Sequence, residues 1–221
     1  MTTFPTPAPI SAILTVPAAR VRFVAADRAD TTVEVRPADA AKSRDAKAAE
    51  QTTVEYGDGV LRIAAPAKNQ YFGPSGAIDV TVGLPAGSRV ELTAADVEFL
   101  AVGRLGDVVV ETENGSIDVD EAASARLVTR AGDVSVGRLS GDAEIRTSKG
   151  DIRVVEAARG AVVLRTEAGD VEIAAAAGVS AALDAGTSHG RIHNSLRNGD
   201  GAAELTIHAT TAVGDITARS L

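Results

Sequence analysis

The chain has 221 residues, no cysteine and a formal net charge of -8. Without cysteine it has neither a disulfide framework nor a thiolate metal site, and the acidic balance argues against a nucleic-acid ligand, which needs a basic face. The uncharged run from Ile173 to Leu183 is Ala-rich and far too short to span a bilayer, so membrane insertion is not expected.

In chain order, the opening MTTFPTPAPI lacks the charged and apolar regions of a secretion signal, which makes the cytoplasm the expected compartment. Residues 10–16 and 20–25 read as strands, with a turn at DRAD and a cleanly alternating strand over 31–36 that Pro37 ends. The Ala- and charge-rich residues 38–50 give the one short helix. TTVEYGDGVLRIAA predicts a hairpin about Gly57, Asp58 and Gly59. A Gly/Pro-rich loop then carries the adjacent aromatics Tyr71 and Phe72. AIDVTVGLPAGSRVELTAA reads as strand, turn at LPAG, strand.

From Val108 onward one phrase recurs: Thr, two variable residues, Gly, usually Asp, then an aliphatic residue. Its copies are TENGSI, TRAGDV, TSKGDI, TEAGDV, TSHGRI and TAVGDI, with glycines at 115, 132, 150, 169, 190 and 214. A repeat of this spacing marks stacked units, each unable to bury its own inner face alone. Alternation about each Gly predicts strand, tight corner, strand. The Gly supplies backbone freedom at the corner, and the Asp a local hydrogen-bond acceptor. The expected fold is therefore all-β: a single-stranded β-helix, or β-solenoid, of about six coils stacked in chain order. Thr112, Thr129, Thr147, Thr166, Thr187 and Thr211 share the inward parity, where their hydroxyls can bond along the stack.

All six aromatics lie at or before Phe99. This composition shift divides the chain into a β-rich N-terminal cap with one helix, residues 1–99, and the solenoid repeats, residues 100–221. Solenoids need protected ends, which makes the N-terminal part the cap. The later coils lose large inward residues and their loops lengthen, as in SLRNGDGAAE, which tapers the far end or leaves an edge for self-association.

Three features carry a resemblance: the T-x-x-G-D-[VI]-x-[VI] copies, VTVGLPAGS at residues 80–88, and the opening VRFVAADRADTTVEVRP. Together they resemble the bacterial "putative adhesin" β-strand-repeat family of unknown function, common in actinobacteria. The resemblance spans residues 4–218 and implies a β-helical fold. It brings no catalytic residues.

Candidate chemistry is sparse. Gly186-Thr187-Ser188-His189-Gly190 matches G-x-S-x-G, but a nucleophile elbow needs a strand-to-helix turn, and here the match overlies the repeat corner. His189, His193 and His208 are the only histidines and read as solvated side chains rather than metal ligands. Asp107, Asp133, Asp151, Asp170 and Asp215 read as solvated turn residues. Arg126, Arg146 and Arg165 form a candidate stripe for an anionic ligand, read first as surface ion pairs. Tyr71 and Phe72 are the candidate partner contact, because exposed aromatics are enriched at binding hot spots. No metal or cofactor is expected. The expected function is a non-enzymatic scaffold that binds a protein partner or itself. The alternatives are a β-helical polysaccharide-acting enzyme and a polymer-forming protein resembling bactofilins.

Overall fold

The computed structural model describes residues 1–66, 76–198 and 202–221, so Tyr71 and Phe72 lie outside the described residues. The chain divides into two compact units, Met1–Gly115 and Ser116–Leu221.

The first unit contains β1 (Thr2–Pro5), β2 (Ser11–Ala26), β3 (Asp30–Pro37), α1 (Ser43–Gln51), β4 (Thr53–Gly57), β5 (Val60–Ala64), β6 (Ile78–Pro85) and β7 (Arg89–Asn114). The two expected strands over 10–25 are one strand, β2. Pro17 donates nothing to the ladder, yet pairing resumes one residue later at Ala18 opposite Asp96. β2 lies at the centre of the unit. It runs parallel to β7 along one side, and to β5 and then β6 along the other. Ala12, Leu14, Val16, Val21 and Phe23 alternate inward along it, each buried. The hairpin falls where expected: β4 and β5 pair antiparallel, and the positive φ of Asp58 (52°) and Gly59 (75°) gives the type I′ turn that matches strand twist. The LPAG segment is a solenoid corner rather than a hairpin, because β6 and β7 lie on opposite sides of β2. Ser88 pins this corner, donating its hydroxyl to the Pro85 carbonyl (2.7 Å) and accepting the Ile10 amide (3.0 Å). Beyond β5 and β6 the direction reverses: β4 pairs antiparallel with β5, β3 with β6, and short β1 with β3. This change of direction ends the parallel stack, and the short outer strand ending at Pro5 offers little edge for further pairing.

The second unit contains β8 (Ile117–Ala131), β9 (Val134–Leu139), β10 (Ala143–Arg146), β11 (Ile152–Ala157), β12 (Gly160–Arg165), β13 (Val171–Ala175), β14 (Ala181–His189), β15 (Ile192–Ser195), β16 (Leu205–Val213) and β17 (Ile216–Ser220). It is a β-solenoid with two strand-bearing faces. One face stacks the first half of β8, then β9, β11, β13, β17 and β15, all parallel. The other stacks the second half of β8, then β10, β12, β16 and β14. Registered side chains form inward columns. One runs Ile117, Val134, Ile152, Val171, Ile216, and another Leu127, Ile145, Leu164, Ala209, every member no more than 1% exposed.

The stacking order departs from chain order at the end. The coil β16–β17 inserts between β12–β13 and β14–β15, so the terminal coil is the earlier one in sequence. Burial explains the exchange. At matching register positions the inserted coil brings Leu205 and Ala218 into the core, each 0% exposed, where β14–β15 offers Ala181 and Asn194.

The corner residues hold the stack together. A Cβ on Gly150 would run into the Gly132 carbonyl, one on Gly169 into Gly150, one on Gly214 into Gly169, and one on Gly190 into Gly214. Coils therefore approach here to a distance only glycine permits. The threonines bond across the same contact: the Oγ1 of Thr147 donates to the Gly132 carbonyl (3.2 Å), Thr166 to Gly150 (3.0 Å), Thr211 to Gly169 (3.0 Å) and Thr187 to Gly214 (3.0 Å).

Candidate functional site

The turn aspartates form a ladder of their own. The Asp133 carboxylate accepts the Asp151 amide (2.9 Å), Asp151 that of Asp170 (2.8 Å), Asp170 that of Asp215 (2.7 Å), and Asp215 that of Arg191 (2.8 Å). Each carboxylate thus satisfies a corner amide of the next coil, which gives these residues a structural task. The ladder stops at Arg191, which stands where four other copies carry Asp and the first carries Ser116.

The three arginines of the expected stripe do not share one column. Arg146 and Arg165 are register neighbours, while Arg126 aligns with Glu144, two residues away along the strand. Glu144 pairs with Arg126 at 3.0 Å and also with Arg146. Two of the three guanidiniums therefore share one carboxylate, in pairs that are mostly exposed and individually weak. A parallel exchange joins Arg138 to Glu156 at 3.2 Å on the other face.

Ser188 and His189 lie at the end of strand β14, with no helix following. The strand-to-helix turn that would expose an elbow nucleophile is absent there. His208 approaches Asp184 on the neighbouring strand, Nδ1 to Oδ2 at 3.2 Å, and both are exposed. His193 registers against Thr217. Among the described residues no group of three His, Cys, Asp or Glu side chains is placed to hold a metal ion, and no helix is long and apolar enough to cross a membrane.

A shallow groove of about 220 Å³ lies on the face made by β11, β13 and β17, lined by Arg153, Val155, Glu172, Thr217 and Arg219 among others. The register shifts after Val154, and Val155 is left exposed beside it. Arg153 and Glu172 face each other across it at 3.5 Å.

The most distinctive surface is the terminal coil. β14 pairs only with β16, and β15 only with β17, among the described residues. Ile192 ends the column whose other five members are buried, and it is 44% exposed. The segment from His189 to Arg197 carries two arginines, two histidines and no carboxylate. Arg219 lies in register with Ser195 beside it. Sequence reasoning allowed for an open edge at the far end but passed over its basic character; the one signal was the Arg in TSHGRI, the only charge reversal at the Asp position among the copies.

The Toastrack DUF4097 family profile matches residues 13–220. The chain belongs to the Toastrack DUF4097 family. That match agrees with the resemblance drawn from the repeat and with a β-solenoid-like repeat fold. Among solved structures, one from Parabacteroides distasonis described as a "putative adhesin" is 13% identical, covers 98% of this chain and 95% of that one, and has a TM-score of 0.50. A "putative adhesin" from Bacteroides fragilis is 10% identical over 98% of this chain and 95% of that one, with a TM-score of 0.46. A "putative cell adhesion protein" from Clostridium sporogenes is 10% identical over 100% and 98%, with a TM-score of 0.41. At these identities the likeness is one of fold. No curated protein matches this Toastrack chain.

Proposed function

We propose that this chain is a non-catalytic scaffold, a rigid Toastrack solenoid that binds a protein partner or a second copy of itself in the cytoplasm. One observation carries the reading: the stack ends on an open strand edge whose inward column finishes at exposed Ile192. Such an edge presents unpaired backbone groups beside apolar surface, the combination that strand-adding partners use. The polar groups elsewhere are occupied with holding coils together, as the Thr and Asp ladders show. The expected partner contact at Tyr71 and Phe72 stays in the proposal as a second contact.

Size-exclusion chromatography with light scattering, followed by in-cell crosslinking, tests the reading. The expected result is a crosslinked complex mapping to solenoid residues in the cytosolic fraction. Turnover of a polysaccharide panel by the purified chain would overturn it in favour of the enzyme alternative. Concentration-dependent filaments seen by electron microscopy would replace it with the polymer-forming alternative.

A further inference from the structure

The terminal coil is specific about what can cover it. Its β15 end is basic, with no carboxylate from His189 to Arg197, while the exposed Asp184 of β14 faces His208, in a chain that has 30 acidic and 22 basic residues. Arg191 flanks one end of β15, and Arg197, whose amide bonds the Ser220 hydroxyl at 2.9 Å, flanks the other. Arg219 stands one strand in, on the register row of Ser195. None of these three guanidiniums has a carboxylate within ion-pair distance among the described residues, a state shared on the inner coils by Arg159 and Arg165 but not by Arg126, Arg138, Arg146 and Arg153.

The Asp ladder adds direction. From Asp133 onward each coil offers the next a corner carboxylate, and the last offers a guanidinium instead. A strand arriving here meets a positive corner. Its own acidic side chain at that level would pair with Arg191, as Asp215 serves the Arg191 amide from the other side. Two copies of this edge would instead place like charges face to face, which penalises the symmetric dimer. A nucleic-acid phosphate backbone has no strand-spaced amide and carbonyl groups to pair with the open strand edge, and the chain's net charge repels it.

We propose that the β14–β15 edge docks an extended acidic segment of a partner protein, which adds as a further strand-corner-strand turn on the stack. This rests on the scaffold reading and names the chemistry of its partner. The strand's backbone supplies the pairing, Ile192 and Leu183 supply the apolar end of the core, and Arg191, Arg197 and Arg219 select acidic side chains.

The test measures binding of three fluorescent nonapeptides to the full chain by anisotropy. The first is TEAGDVEIA, the chain's own residues 166–174, which span a corner and carry three carboxylates. The second is its amide counterpart TQAGNVQIA. The third is the acidic peptide N-methylated at alternate residues, which removes backbone donors. The acidic peptide is expected to bind at least tenfold more tightly than either of the others. R191E/R197E should weaken it at least tenfold, while R22E/R62E, altering exposed arginines of the first unit, should leave it unchanged. R219E, a change on the inner neighbour β17, repeats the test should the double variant lose its strand dichroism. Equal binding of the amide peptide, displacement by oligothymidylate, or no binding at all overturns the proposal. Edge-independent binding of the acidic peptide overturns it too, yet leaves the scaffold reading intact. An oligomer that R191E/R197E dissolves would assign the edge to a second copy instead. The scaffold reading falls separately, on polysaccharide turnover.

Discussion

Replacing Gly150 by Ala tests the close approach on which the stack depends. Gly150 has φ near +146°, and an added Cβ would meet the Gly132 carbonyl oxygen at an impossible distance, the carbonyl carbon at 2.5 Å and the Asp133 carboxylate at 3.0 Å. The backbone strain of a non-glycine residue at positive φ costs roughly 1–2 kcal/mol. Relief of the contact must push the Gly132 and Gly150 coils apart at a corner crossed by three bonds: Gly132 amide to Lys149 carbonyl (2.8 Å), Asp151 amide to Asp133 carboxylate (2.9 Å) and Thr147 hydroxyl to Gly132 carbonyl (3.2 Å). Weakening two of them adds about 2 kcal/mol, for a total of about 3–4 kcal/mol. With a urea slope of about 2–3 kcal/mol/M, the midpoint should fall by roughly 1–2 M. Two controls isolate the contact. Gly178 has φ +81° with open space around it, so Gly178→Ala carries strain alone, about 1–2 kcal/mol. Gly186 has neither constraint, so Gly186→Ala should change stability by less than about 1 kcal/mol, and in the stabilising direction. Urea unfolding followed by circular dichroism ranks the three. If Gly150→Ala falls no further than Gly178→Ala, the carbonyl contact is not what glycine is there to permit, and the account of the corner fails.

The Thr ladder predicts opposite signs for one substitution at two sites. Thr166→Val removes the bond to the Gly150 carbonyl and should cost about 1 kcal/mol, whereas Thr129, whose buried Oγ1 has no hydrogen-bond partner, should tolerate Val or gain about 1 kcal/mol, as read from thermal melts. Asp151→Asn keeps an acceptor for the Asp170 amide and should melt close to the natural chain, while Asp151→Ala loses it and should cost about 1 kcal/mol. Leu164→Ala opens a cavity at a fully buried column position and should cost about 2–5 kcal/mol by the same assay. The Arg28 guanidinium, bonded to Asp30, holds that carboxyl below its ordinary range, as the Ala41 amide and then Lys42 do for Asp39. Their contribution is present above the unfolded carboxylate range near pH 4 and is lost as pH falls through the lowered folded values. Asp30→Asn should therefore flatten the fall of stability with acid, a result that urea midpoints measured between pH 5 and pH 2.5 would contradict by keeping the same slope.

Periodicity made the repeat region readable. The inward columns, the corner glycines and the parity of the threonines follow from alternation about each Thr-x-x-Gly, because a strand has only two faces and a corner tolerates few residues. The hairpin at Asp58-Gly59 was legible for the same local reason. Arg191 was visible as the odd letter of TSHGRI, yet its meaning needed the ladder that ends on it.

Neighbourhood could not be read this way. Which coil lies beside which depends on the apolar area each would leave uncovered, summed over the whole stack. That sum puts β16–β17 inside β14–β15, and β2 between β7 and the later strands β5 and β6. It also scattered the Arg126, Arg146, Arg165 stripe, since a register offset of two residues sets Glu144 beside Arg126. The sequence by itself determined the coil, its corner and its buried faces, because those are matters of local period. Only the tertiary structure decided the order of the coils and the open basic edge, because parallel stacking joins segments that no local pattern can rank.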